Sequence, residues 1–198
     1  MSLENPEKNI FHNENRLEEE KPPFLYHGSP FSDLEKINPV IRKFHNEEGL
    51  MTFATPDKAF ASMFLGPRPD DSWSAKGSFE KTYYILIADE ERYRKNDTGG
   101  IIYKVSSEKF EKPIKGMKTE WVAKESVEPI SSENFDSAFN TMIDNGVQVY
   151  FTDQSTINRF NEALKEDYFK GLEAIEGLQS ENKKLGKNIK SFRERRDY

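Results

Sequence analysis

Three short strings each set one polar side chain inside an otherwise apolar, strand-like run. They are Tyr26-His27-Gly28-Ser29, Gly49-Leu50-Met51-Thr52-Phe53-Ala54 and Thr119-Glu120-Trp121-Val122. A plain core strand favours Val or Leu at such places, because a buried polar group costs free energy unless it is partnered. Each residue also has an ordinary explanation. His27 ends a strand before a Gly turn, Glu120 has Lys118 as a basic neighbour, and Thr52 suits a strand without any further role. Other chemistries are not offered. With no cysteine there is no thiolate nucleophile, no disulfide framework and no Cys-based zinc site. No His/Asp/Glu spacing suggests a metal, and His12 and His45 are isolated. No phosphate-cradling Gly-rich loop of the P-loop or dinucleotide-fold type is present.

In this order the three strings resemble the signature segments of the ADP-ribosyltransferase superfamily. Its poly(ADP-ribose) polymerase branch reads roughly W-H-G-S, G-I-Y-F-A and N-E-Y-I-V. Its bacterial single-domain transferases read roughly H-G-T and I-Y-F-T-A, with an acid later. The match covers about residues 24–130. The resemblance implies NAD as a substrate, held in a cleft between two small sheets. It implies that His27 hydrogen-bonds the adenosine ribose, and that Gly28, beside Ser29, brings its backbone to the nicotinamide carboxamide. Glu120 becomes the carboxylate on the nicotinamide ribose, which stabilises an oxocarbenium-like transition state and helps deprotonate an acceptor. Thr52 stands where the polymerase branch has a stacking Tyr, so stacking falls to Phe53, Phe60 or Phe64. Trp73, in a Gly/Pro-rich loop, is placed to cover the cleft. The acceptor (protein, nucleic acid or small molecule) is not readable. Two other readings stand beside this one. RNA 2′-phosphotransferases share the H-G segment but use several cleft arginines, for which the middle of the chain offers Arg68, Arg92 and Arg94. The third reading is a non-catalytic domain that keeps the fold as a scaffold.

The 198 residues suffice for one domain of about 130–150 residues plus extensions. Charged residues make up 32% and apolar ones 35%, which is lean, while 13% aromatics argue against wholesale disorder. A net charge of −6 disfavours a general nucleic-acid binder. Residues 181–198 nonetheless hold seven basic against three acidic residues, read mainly as a solvated helix end. No apolar run is long enough to span a bilayer and no signal peptide is visible, so a soluble, cytoplasmic protein is expected.

The expected class is α+β: a pair of small antiparallel sheets forming the NAD cleft, with a long C-terminal amphipathic helix. Residues 1–22 read as a flexible acidic arm, 23–152 as the domain and 153–198 as a helical extension with a basic tail. Strands are expected at 24–27, 50–54, 82–88, 101–105, 120–122 and 147–151. Ser32 and Glu35 suggest a capping-box turn, and Thr55-Pro56-Asp57 a helix with Thr55 as N-cap and Pro56 at its first position. Residues 42–48 and 66–81 read as loops, 89–100 as a polar stretch, and 132–144 as a helix capped by Gly146. Ile157, Phe160, Leu164, Tyr168, Leu172, Ile175 and Leu178 form one stripe, read as a single helix of about six turns. Leu178, Leu185 and Ile189 are spaced for weak self-association. Residues 180–198 are expected to be dispensable for folding.

Overall fold

The computed structural model describes residues 20–44, 47–66, 74–79, 82–112, 119–166 and 168–187. It is a mixed α+β structure with three small sheets. In the first, β1 (Phe24–Ser29), β6 (Gly100–Ser106) and β8 (Pro129–Phe135) run antiparallel in the order β1-β6-β8. The second is β2 (Val40–Phe44), β3 (Glu47–Ala54) and β7 (Trp121–Ala123), antiparallel in that order. In the third, β5 (Thr82–Ile87) pairs antiparallel with β4 (Ser74–Phe79) and parallel with β9 (Gln148–Phe151).

Two backbone bonds between Tyr26 and Thr55, 2.7 and 2.9 Å, tie β1 to the end of β3. Between these two sheets lies a cluster of Leu25, Ala54, Ile101, Tyr103, Val105, Phe110, Trp121, Ala123 and Val127. The strand β5 is buried on both faces, which its unbroken apolar run foretells. Tyr83, Ile85 and Ile87 meet helices α1 (Lys58–Ser62) and α3 (Ala138–Asp144). Tyr84 and Leu86 meet Ile157 and Phe160 of α4 (Gln154–Glu166) and Leu172 of α5 (Tyr168–Ala174).

Several local expectations are corrected. No helix forms at 32–37: Asp33 takes a positive φ of 58°, and Ile37 pairs with Val127 through two backbone bonds. Helix α1 starts later than Thr55-Pro56 suggests, because the Thr55 backbone is committed to Tyr26. Asp57 is the N-cap, accepting from Ala59 N–H at 2.8 Å while also taking the Tyr83 hydroxyl at 2.8 Å. The expected loops hold β2 and β4. The polar stretch holds α2 (Glu90–Asn96), capped by Asp89, with Glu90 and Glu91 in its first turn and Arg94 and Lys95 in its last. Residues 129–135 are strand, and α3 begins only after Ser137. Its first turn is held by Asp97, whose carboxylate accepts from the backbone of Gly99, Ala138 and Phe139 and from the Ser137 hydroxyl.

The C-terminal stripe is divided. A Cβ added at Gly171 would overlap the Leu164 side chain and approach Phe160 to 3.5 Å. In a straight helix those residues lie roughly 10 and 16 Å apart along the axis. The chain therefore turns back between α4 and α5, both of which deliver apolar residues to one cluster. Helix α6 (Glu181–Lys184) follows and packs on β9, so residues 180–187 belong to the folded unit. The acidic arm through residue 19, Trp73, Arg68, His12, His45 and the basic tail from residue 188 lie outside the described residues.

Tyrosine burial gives the fold a predicted alkaline limit. Burial pushes the Tyr150 phenol up to about 12, and Tyr83 and Tyr93 are raised as well, chiefly by burial. A raised folded-state value means the unfolded chain loses the proton first, so stability is complete below about pH 10 and falls as pH rises. For Tyr150 alone the loss by pH 12 is on the order of 2–3 kcal/mol. Urea unfolding at pH 8, 10 and 11.5 checks this. Tyr150→Phe should flatten the decline, and an unchanged profile in that variant would show that Tyr150 contributes nothing to it.

Candidate functional site

His27 lies opposite Tyr103 in the β1/β6 register and is half-buried. Its Nδ1 is 2.7 Å from the Phe53 carbonyl oxygen. A carbonyl can only accept, so Nδ1 carries a proton and donates it to Phe53. The bond also ties the first motif to the second, 26 residues away.

The second and third motifs are paired directly: Thr52 faces Ala123, Phe53 faces Val122 and Ala54 faces Trp121. Glu120 directly precedes Trp121, where that ladder ends, and Thr55 directly follows Ala54 and is itself bonded to Tyr26. The three segments thus occupy neighbouring strands in the order β1, β3, β7. Strand alternation divides their side chains. His27 shares a face with Leu25, and Thr52 shares one with Ala54, whereas Phe53 and Val122 take the opposite face. Glu120 directly precedes β7, at a turn, where no ladder imposes a face on it. It is 4% exposed; the other buried acidic residue among those described, Glu181, is held by Arg94 and Lys184.

The remaining sequence candidates have local duties. Thr52 is 1% exposed and donates its hydroxyl to the Glu125 carbonyl at 3.0 Å. Ser29 is buried and its Oγ accepts from Phe31 N–H at 3.1 Å. Gly28 is required by packing, since a Cβ there would collide with the Ala61 carbonyl of α1. Phe60 is a core residue, its ring 5.4 Å from those of Phe64 and Tyr83, and it does not join the His27 group. Phe53 is half-buried, and it is its carbonyl that lies beside His27. Arg94 lies over Phe139 and Phe151 and pairs with Glu90 and Glu181, on the third sheet's side of the molecule.

Two polar atoms flanking Glu120 were not singled out by sequence. The Thr119 hydroxyl and the Trp121 indole N–H are buried without a hydrogen-bond partner among the described residues. A signal existed: an indole in a buried strand needs an acceptor for its N–H. Among the described residues no group of three or more His, Asp or Glu is arranged to hold a metal ion, and no helix is long and apolar enough to cross a membrane.

No protein-family model, no curated protein and no solved structure matches the chain.

Proposed function

We propose that the chain is an NAD-dependent ADP-ribosyltransferase. One observation carries this reading: three motif segments, distant in sequence, occupy adjacent strands, with His27 bonded to the backbone of the second motif. In the proposed reaction the bond between the ribose C1′ and nicotinamide breaks and nicotinamide leaves with the bonding pair. A bond forms between C1′ and the acceptor, whose proton passes to Glu120. His27 Nε2 accepts from a ribose hydroxyl, Phe53 lines the nicotinamide side, and the Glu120 carboxylate stabilises the cationic ribose.

The test is release of nicotinamide from NAD by the full chain, alone and with candidate acceptors. His27→Ala is expected to raise the KM for NAD about tenfold or more, the usual scale for losing a buried polar contact. Nicotinamide release at the buffer rate under all conditions would remove the enzymatic reading.

The commitment of Thr52 to Glu125 favours a second reading, a non-catalytic scaffold. A Thr engaged in that way takes no part in stacking, and Gly28 is already explained by α1. Calorimetry separates the two, because a scaffold that has lost NAD binding shows no saturable heat.

A further inference from the structure

The orphaned donors beside Glu120 sit at the end of a strand pair. Glu111 and Val122 exchange two backbone bonds, 2.8 and 2.9 Å, which sets Lys112 opposite Trp121. The Lys112 ammonium accordingly lies over the indole, 5.2 Å from the ring centroid. Trp121 is 5% exposed, and among the described residues neither its N–H nor the Thr119 hydroxyl two residues earlier has an acceptor. Leaving a buried donor unsatisfied is costly, so two of them within three residues call for an external acceptor.

We propose that Thr119, Trp121 and Lys112 form a binding site for a phosphoryl group. The reason is chemical. A hydroxyl, an indole N–H and an ammonium are three donors, and a phosphoryl group answers them with several acceptor oxygens and a charge opposite to that of Lys112. Glu120 does not serve this site. Its charge opposes an anion, so the site is separable from the transferase reaction and stands whether or not NAD is turned over.

The experiment follows the indole N–H resonance of Trp121 in the full chain, distinguished from that of Trp73 by the Trp73→Phe variant. Inorganic phosphate, ADP-ribose and acetate are the titrants. A downfield, saturable shift with phosphate or ADP-ribose is expected, with acetate much weaker. ADP-ribose binding tighter than phosphate identifies a nucleotide as the source of the group, and equal affinities identify the free ion. Lys112→Met is expected to weaken phosphate binding about tenfold. Without titrant, Thr119→Val should melt at the wild-type temperature or higher, because it removes an unsatisfied hydroxyl of the same shape. The proposal is overturned by a linear or absent response to both phosphate and ADP-ribose, by a shift with acetate alone, or by undiminished binding in Lys112→Met. A clear loss of stability in Thr119→Val also overturns it, since the hydroxyl would then have an internal partner.

Discussion

Asn182→Ala is expected to destabilise the protein by about 2–5 kcal/mol, although the residue lies in a Lys-rich C-terminal segment. Its side chain is fully buried against the outer edge of β9. The amide oxygen accepts from Val149 N–H at 3.1 Å and the amide nitrogen donates to the Val147 carbonyl at 2.9 Å. A single amide thus satisfies both backbone groups that a further strand would have paired. Removing it leaves a buried N–H and a buried C=O unpaired, each worth roughly 1–3 kcal/mol, and opens a strand edge to intermolecular pairing. Asn182→Asp should be no better than Ala, because a carboxylate cannot donate to Val147 and brings a charge into a buried place. Urea unfolding is the measurement, with a lower midpoint and an unchanged m-value as the expected result. A truncation at residue 179 should lose at least as much. Variants within about 0.5 kcal/mol of wild type would restore the reading of residues 180–198 as dispensable.

That segment also shows where sequence stops being informative. The strands β1, β5, β6 and β9 were legible because their cores are written as apolar runs. Strands β2 and β4 and helix α2 were not: β4 and α2 are short and mostly polar, with only Tyr93 of α2 buried, and β2 is five residues long with Val40 and Ile41 exposed. Residues 129–135 misled in another way. Phe135 continues the spacing of Ala138, Phe139 and Met142, so a strand end and a helix face merge into one helical pattern. The Ile157 to Leu178 stripe kept its period through the turn between α4 and α5, because both helices bury their apolar faces in one cluster, and periodicity alone cannot register a reversal of direction. In the candidate site the segments of the first two motif strings meet, at the Phe53 carbonyl beside His27. What they could not convey was duty. Gly28 and Thr52 answer to Ala61 and Glu125, contacts made across long stretches of chain, and the orphaned Thr119 and Trp121 are visible only once burial is known.

Glu120→Gln is expected to lower nicotinamide release by about 10²–10³-fold, the largest effect predicted for any single residue of the site. The argument rests on what changes along the reaction and what does not. Gln keeps the volume of Glu and can still hydrogen-bond a ribose hydroxyl, so ground-state NAD affinity should move no more than a few-fold. In the reaction proposed above, positive charge developing on the ribose would meet a carboxylate in the wild type and only a dipole in the variant. The loss therefore falls on kcat, the signature of an interaction made in the transition state. Deprotonation of the acceptor suffers with it, because an amide is not a base at neutral pH. Folding should survive, since the substitution removes a charge from a side chain that is 4% exposed. Steady-state kinetics on variant and wild type, with matched melting curves, decide the matter. Equal kcat in the two proteins would take Glu120 out of the mechanism, and a rise in KM with kcat intact would recast it as a residue that only binds NAD.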